Sequence, residues 1–260
     1  MISLTLPIEG FLRFGLIFAR VSILIAAIPL LGARSVPVRI KAGLALAMAV
    51  VLFPAVPPLP HGFMSEPAAV VVGLLGEVLV GAALGLMVRA VFAGIELSGT
   101  LMGFNMGFGI VSAIDPQNNA QVSLVGQLQM LFAFLLFLGT NAHHEFLRLV
   151  GHSFKSLPLL GAGLSSGIAG DLVQAGGEIF RLGLKLSAPV VAAIFLANVV
   201  LGVVARTVPQ INLLIVGFPI TIALGLVVLG ATLPFFGPVV EAALMGALRD
   251  SMAILESVKR

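Results

Sequence analysis

The sequence predicts an all-α protein that crosses a membrane several times, with about six long apolar helices arranged as helical hairpins. Apolar residues make up 59% of the 260 residues, charged residues only 10%, and the mean hydropathy is +1.17. A soluble domain has about 25% charged residues. Four uncharged runs, at 42–65, 116–144, 186–205 and 207–240, each provide the roughly 20 residues that a transmembrane helix needs.

Charge and cysteine content exclude several classes of function. The net charge of +3 is too small, and its Lys and Arg residues are too scattered, to indicate a nucleic-acid partner. The chain has no cysteine, so disulfides, cysteine metal sites and thiol chemistry are impossible. A phosphate-binding G-x-x-x-x-G-K-[ST] loop does not occur either, and we expect no cofactor.

The first two predicted helices carry the clearest topology signals. Residues 10–31 form the first helix, in which Arg13 and Arg20 share a face with Glu9. Two arginines inside a membrane span are costly unless they face protein or water. A short basic loop at 33–41 precedes the second helix, 42–56, and predicts a cytoplasmic connection.

The rest of the chain alternates between apolar and polar segments. We treat residues 1–260 as one subunit with four parts. The N-terminal helices occupy 1–140 and include a distinctive segment at 94–121. A polar and amphipathic connection at 141–185, a closing helical hairpin at 186–237 and a polar C-terminal tail at 238–260 follow. The helices of the first part are expected at 67–93 and 122–138. Within the connection, the Gly-rich stretch 161–170 predicts flexibility.

The segment 94–121 has rows of Gly, Met and Phe that repeat every four residues: Gly99, Gly103 and Gly107, then Met102 and Met106, then Phe104 and Phe108. On a helix the Gly row lets another backbone approach closely. We expect Asp115 and Pro116 to end this helix, because proline disfavours helix at the residue before it. Two interpretations remain open, a close-packed transmembrane helix and a deformable apolar gate.

A second pattern is a polar stripe on an otherwise apolar helix, made of Asp171, Gln174, Glu178, Arg181 and Lys185. At helical spacing these side chains lie within an arc of roughly 80°. The stripe faces a water-filled space, a polar partner or ordinary solvent. The pair Gly176 and Gly177 weakens the prediction of an unbroken helix.

The closing hairpin turns between 186–205 and 213–236. Arg206 ends an uncharged helix, where the helix dipole favours a cation. Pro209 fixes the reversal, and Gln210 and Asn212 offer amides to a neighbour. Beyond the turn, Pro219 and Pro234 should kink the second arm.

Two patterns that suggest enzymes do not have the right context. Residues 163–167 match G-x-S-x-G around Ser165, but a Gly-rich stretch replaces the strand and helix that a nucleophile elbow needs. His143, His144 and His152 lack metal-ligand spacing, and adjacent histidines should diverge on a helix. We therefore expect neither an enzyme nor a metal site.

The topology signals conflict. If the basic loop at 33–41 lies in the cytoplasm, six simple crossings place the C-terminus outside, against its own content of Arg and Lys. Either residues 94–113 cross as well, or some helices do not span the membrane individually.

Two strings of residues resemble one family when they are taken together. The first is M-G-F-N-M-G-F-G at 102–109 followed by Asp115 and Pro116, and the second runs from 186 through R-T-V-P-Q-I-N at 206–212 to Gly217, Phe218 and Pro219. Their order and spacing resemble the FliR/SctT family of type III export gate proteins over roughly residues 10–250. The arginine, Pro-Gln, Asn and Gly-Phe-Pro string between two apolar helices is the specific part.

The resemblance implies a fold, a set of partners and a site. In that family one copy joins several copies of the FliP and FliQ proteins in a helical pore assembly, contacts FlhB and FlhA, and passes unfolded flagellar proteins across the bacterial inner membrane at the flagellar basal body. The family's plug corresponds to about 103–116. The implied gate residues are Met102, Gly103, Phe104, Asn105, Met106, Gly107, Phe108, Gly109, Asp115 and Pro116. The implied assembly residues are Asp171, Glu178, Arg181, Lys185, Arg206, Pro209, Gln210, Asn212, Gly217, Phe218 and Pro219.

The function implied is passive gating of a protein-conducting channel, because apolar constrictions close pores by dewetting. Two alternatives remain. One is a secondary transporter or ion channel with Glu77, Arg89 and Glu96 on the ion path. The other is a purely structural subunit of a membrane assembly.

Overall fold

The computed structural model describes residues 8–29, 36–59, 67–109, 124–161, 166–207 and 213–258, and within these ranges the regular structure is helical throughout. The helices are α1 Ile8–Ala27, α2 Val38–Leu52 with a 3-10 turn at Phe53–Ala55, α3 Pro67–Met106, α4 Leu124–Gly139, α5 Ala142–Ser156, α6 Ser166–Thr207 and α7 Leu213–Val258. The predicted fold class is confirmed.

Helix length and composition agree with a membrane protein. Five of the described helices are long and apolar enough to cross a membrane, and α4 with α5 passes the same test as a pair. Helices α3, α6 and α7 contain 40, 42 and 46 residues, which corresponds to about 60–70 Å. Since a hydrocarbon core is about 30 Å thick, each of these three helices extends well beyond it.

The helices run through several positions where the sequence predicted a helix end, a weak point or a kink. Helix α3 continues past residue 93, α6 passes through Gly176 and Gly177, and α7 continues through Pro219, Pro234 and Pro238 into the predicted tail. A helix satisfies its own backbone hydrogen bonds, and where water is absent no alternative structure does so as well. Ser166–Gly170 of the predicted flexible stretch is helical, while Gly163 and Ser165 lie outside the described residues.

Within the segment 94–121, the helix breaks earlier than predicted. It stops at Met106, whereas Asp115 and Pro116 were expected to stop it and lie outside the described residues. Gly107 has φ +102°, a conformation that glycine adopts without steric cost and that ends a helix.

The chain forms two compact units. The first comprises Met1–Arg89, Asn141–Ala175 and Met245–Arg260, and the second comprises Ala90–Thr140 and Gly176–Leu244. Helices α3, α6 and α7 each contribute to both units.

Close glycine contacts hold α1 against α3 in the first unit. A Cβ atom added to Gly81 would lie 2.9 Å from the carbonyl oxygen of Arg20, and one added to Gly85 would lie 2.6 Å from the Cβ atom of Ala27. Real Cβ atoms essentially never approach other atoms so closely. The two glycines, four residues apart, therefore set the distance between these helices.

The second unit uses the same kind of contact between α3 and α4. A Cβ atom on Gly99 would overlap the Cα atom of Gly126 and lie 2.9 Å from the Oε1 atom of Gln129. The Oγ of Ser98 is 2.8 Å from the same Gln129 oxygen. The close backbone approach that the sequence predicted for the Gly row is confirmed at Gly99.

The glycine contacts lead to a stability test. Gly99→Ala should destabilise the protein by roughly 1–3 kcal/mol, because the added methyl group meets backbone atoms that cannot move aside. Gly230→Ala is the matched control, since nothing lies within 4 Å of the added Cβ and alanine favours a helix by about 1 kcal/mol. The thermal midpoint in detergent should fall for the first variant and stay or rise for the second. Equal midpoints would contradict this packing role.

Candidate functional site

The predicted gate residues at 102–109, hereafter the gate segment, form the C-terminal end of α3. The N–H of Phe108 donates to the carbonyl of Gly103 at 3.0 Å, and the N–H of Gly107 donates to that of Phe104 at 3.1 Å. With the positive φ of Gly107, these two bonds form a Schellman motif, which satisfies carbonyls that a helix end otherwise leaves unpaired. The segment is thus a well-defined helix end.

The two methionines of the gate segment belong to the core of the second unit. Met102 and Met106 are 0% exposed, and they form a cluster with Val125, Val190, Ile194 and Leu229. Phe108 packs partly buried against this cluster. Phe104, by contrast, is 73% exposed, so the segment is anchored on one side and open on the other.

Helix α7 holds the gate segment through three consecutive turns. The hydroxyl of Thr221 donates to the carbonyl of Met106 at 3.0 Å in a buried position. A Cβ atom added to Gly225 would lie 2.5 Å from the Cε atom of Met106, and one added to Gly107 would lie 2.5 Å from the Cδ1 atom of Phe218. Phe218 was predicted as an assembly residue, and it lies against the gate segment of its own chain.

The structure places the other predicted site residues at several locations. Gly217 is buried, whereas Arg206 in the last turn of α6 and Pro219 in α7 are exposed. In the polar stripe, Glu178 and Arg181 form an exposed ion pair at 2.7 Å, and Lys185 is exposed. Asn105 donates to the carbonyl of Leu101 at 2.7 Å. Gly103 is buried, while Gly109 is half-buried. Five predicted residues, Asp115, Pro116, Pro209, Gln210 and Asn212, lie outside the described residues, as does the side chain of Asp171.

A buried ion pair joins α1 to α3 in the first unit. The Nε of Arg20 lies 2.5 Å from the Oε2 of Glu77, and both side chains are 0% exposed. Of the two environments expected for an arginine in the first helix, protein or water, Arg20 has the first. The sequence did not predict the partner, because 57 residues separate the two and local spacing carries no information about such a pair.

The same arginine caps the end of α5. Its Nη1 donates to the carbonyls of Ser153 at 3.0 Å and Leu157 at 2.9 Å, where the helix dipole concentrates negative charge. The guanidinium carbon also lies 4.4 Å from the centroid of the Phe154 ring, a cation–π distance. Arg20 thus connects three helices.

Glu77 completes the network on the other side. Its Oε1 accepts a hydrogen bond of 3.1 Å from the N–H of Leu160, whose φ is +67°. A leucine in this left-handed region is strained by about 1–2 kcal/mol. The carboxylate therefore holds the strained turn that follows α5.

Arg13 repeats the arrangement seven residues earlier on the same face of α1. Its Nη2 donates to the carbonyls of Phe53, at 2.6 Å, and of Val56. Its guanidinium carbon lies 4.4 Å from the centroid of the Phe53 ring. Each arginine therefore binds two carbonyls at a helix end and stacks on a phenylalanine from that end.

The residues of the transporter alternative differ sharply in exposure. Glu77 is fully buried in the ion pair with Arg20, whereas Arg89 and Glu96 are exposed on α3. A carboxylate held by an arginine and a backbone N–H is not free to bind a transported ion. The geometry of Glu77 therefore favours a structural role.

The histidines differ from expectation in one respect. The rings of His143 and His144, near the start of α5, were predicted to diverge, but their centroids lie 4.1 Å apart. His152 lies one turn from Ser156, with its Nδ1 3.1 Å from that hydroxyl. Within the described ranges, no group of three or more His, Asp or Glu side chains is arranged to hold a metal ion.

Because the Arg20–Glu77 pair is buried, we expect even a conservative substitution of Arg20 to destabilise the protein strongly. Arg20→Lys should destabilise the protein by up to about 3–5 kcal/mol, the cost of breaking a buried ion pair, because one ammonium nitrogen must replace two guanidinium nitrogens, Nε at Glu77 and Nη1 at Ser153 and Leu157. Arg148→Lys is the matched control, since Arg148 pairs with Glu145 at 2.6 Å but is 74% exposed. We expect a shift below about 0.5 kcal/mol for this exposed pair.

Thermal unfolding in detergent, followed by circular dichroism, measures both variants. A midpoint for Arg20→Lys within error of that for Arg148→Lys would contradict the role assigned to Arg20. Arg20→Met with Glu77→Leu should recover part of the lost stability, because no unpaired charge then remains buried.

Two comparisons with known proteins agree on one family. The family described as "Bacterial export proteins, family 1" matches residues 11–247. The chain is 36% identical over 225 residues to the flagellar biosynthetic protein FliR of Bacillus subtilis (strain 168), a match that covers 85% of this chain and 86% of that protein. It is 32% identical over 222 residues to the protein of the same name from Escherichia coli (strain K12), covering 85% and 84%. The chain therefore belongs to the bacterial export proteins, family 1.

Proposed function

We propose that this protein is a membrane subunit of the flagellar protein export apparatus, and that it lines and closes a channel for unfolded flagellar proteins. Its family is one of export proteins, and the relatives at 32–36% identity are named flagellar biosynthetic proteins. Its long apolar helices suit a membrane-embedded component. The channel itself, and its closure by the gate segment, are the finer part of the proposal.

The observation that carries the closure is the two-sided environment of the gate segment. Met102 and Met106 are fully buried and fix the segment to the second unit, while Phe104 is 73% exposed. A constriction that closes by dewetting needs an apolar surface facing the lumen and a firm attachment behind it. The exposed Phe104 supplies the first, and the methionine cluster supplies the second.

Exposed apolar surface on three helices supports assembly with partner proteins. In an 18-residue apolar stretch of each helix, only 11% of the residues of α2, 11% of those of α6 and 17% of those of α7 are buried within the chain. Lipid or other subunits must cover this surface. We assign part of it to the FliP and FliQ proteins in the bacterial inner membrane at the flagellar basal body, with FlhB and FlhA as further contacts. Residues Glu178, Arg181, Lys185 and Arg206 are proposed to lie at these contacts.

The proposed mechanism is passive. The chain offers a constriction that opens and closes, and the energy for export comes from the membrane potential and from other components. As part of the same proposal, the protein catalyses no reaction. The buried position of Glu77 favours this gating function over ion transport along Glu77, Arg89 and Glu96.

The closure can be tested by removing the exposed phenyl ring of Phe104. Phe104→Ala should leave the complex assembled, because the side chain contributes little to the core, but should raise its ion conductance several-fold since the apolar constriction is reduced. Phe235→Ala is the matched control, because Phe235 is also a phenylalanine and is 72% exposed on α7. The conductance of purified complexes in planar bilayers is the measurement.

Two results would contradict the closure. One is a Phe104→Ala complex as ion-tight as the parent, and the other is an equal leak from the Phe235→Ala complex. Met106→Ala should behave differently from both, with a loss of about 2–5 kcal/mol in stability, because it leaves a cavity in the methionine cluster. Deletion of the whole segment is a poor test, since it removes two core side chains together with the exposed ring.

A further inference from the structure

The hydroxyl of Thr221 on α7 has two acceptors within reach of its single proton. Its Oγ1 lies 3.0 Å from the carbonyl oxygen of Met106, at the end of α3, and 3.1 Å from the carbonyl oxygen of Phe218, one turn earlier on α7. Because a hydroxyl has one O–H donor, a full-strength bond goes to one of these carbonyls at a time. Thr221 is only 5% exposed, so water has little access to the choice.

The carbonyl of Met106 depends on this hydroxyl, whereas that of Phe218 does not. A helix leaves its last four carbonyls without donors of its own, and the two N–H groups of the Schellman motif serve those of Gly103 and Phe104. In the part of the chain that the structure describes, Thr221 is the donor to the carbonyl of Met106. Phe218 lies within α7, where the helix itself supplies a donor four residues further on.

The contacts of α3 change in kind towards its end. At Gly99 the backbone lies so close to Gly126 that an added Cβ atom would overlap it, and no side-chain motion relieves such a contact. Near the end of the helix a side chain makes the contact with α7, where a Cβ atom added to Gly225 would lie 2.5 Å from the Cε of Met106. Since a methionine changes rotamer easily, the last turn of α3 is the part that can leave α7.

A second side chain supports the release of this turn. The Nδ2 of Asn105 donates to the carbonyl of Leu101 at 2.7 Å, which is the carbonyl that the helix pairs with the N–H of Asn105. A side chain that bonds four residues back competes with the helix itself. When the last turn opens, this amide keeps the carbonyl of Leu101 satisfied.

We propose that Thr221 is a positioning residue of the closure. Its hydroxyl holds the last turn of α3 against α7 through the carbonyl of Met106, and opening transfers the hydrogen bond to the carbonyl of Phe218. The donor stays satisfied in both arrangements, and the carbonyl of Met106 exchanges Thr221 for water in the lumen. The inference rests on the proposed function, because it takes the gate segment to be the closure.

The substitution Thr221→Val tests the proposal, because it removes the hydroxyl and keeps the branched shape of the side chain. It leaves the carbonyl of Met106 buried without this donor, which destabilises the closed arrangement. The mean ion conductance of the purified complex in planar bilayers should rise about tenfold over that of the parent. Thr221→Ser keeps the hydroxyl and should restore a conductance close to that of the parent.

The matched control is Thr232→Val. Thr232 is also a partly buried threonine of α7, but its hydroxyl donates to the carbonyl of Leu229 in its own helix, at 2.9 Å. Its loss should leave the conductance unchanged. An equal leak from the Thr221→Val and Thr232→Val complexes would overturn the role of Thr221.

Hydrogen exchange separates the positioning of the gate segment from general packing. In the isolated chain in detergent, measured by mass spectrometry, Thr221→Val should speed exchange of the amides at 103–109 about tenfold and leave those at 90–101 unchanged. Faster exchange throughout 90–140 would show that Thr221 only packs the second unit, and unchanged exchange at 103–109 would also overturn the proposal. This measurement needs no assembly, so it decides the matter even for a variant that forms no complex.

The Phe104→Ala complex separates this inference from the closure on which it rests. A leak from Phe104→Ala without a leak from Thr221→Val would overturn the role of Thr221 and leave the closure standing. An ion-tight Phe104→Ala complex would refute the closure and this inference with it.

Discussion

The ion pair between Arg20 and Glu77 is the interaction on which the first unit depends. Its two side chains are wholly buried, and their hydrogen bonds reach the end of α5 and the strained turn at Leu160. In an apolar protein such a charge pair adds little net stability but is severely costly to break. We infer that it acts as a specificity device, because an arrangement that separated α1 from α3 would leave a buried charge unpaired.

In the described part of the second unit, no buried ion pair joins the helices. Glycines bring α3, α4 and α6 into backbone contact, and the methionine cluster fills the space at the end of α3. The two units thus use different means to reach a defined structure. The contrast suits the proposed gate, because methionine repacks easily around a moving neighbour, whereas a hydrogen-bonded charge network has essentially one favourable geometry.

The sequence predicts the fold class well because hydrophobic run length alone determines membrane helices. It predicts their ends poorly. Helix α3 ends at Met106 because Gly107 adopts a positive φ, and the equal spacing of Gly99, Gly103 and Gly107 gave no reason to choose that glycine. Helix α7 extends to Val258, beyond its predicted end at 236. The sequence also did not predict the contacts of the gate segment with Phe218 and Thr221, because these residues are more than 100 positions further along the chain. Only the tertiary structure determines such pairs.

The arginine clamps on α1 have a consequence for biosynthesis. Arg20 donates to Leu157, which is 137 residues further along the chain, so more than half of the protein must leave the ribosome before this donor can be satisfied. An arginine at the centre of a lone helix costs about 2.5–3.5 kcal/mol on insertion scales, and α1 carries two. Until α5 has been synthesised, the first helix is therefore poorly anchored in the membrane. During that time its arginines need a hydrated or protein-lined environment.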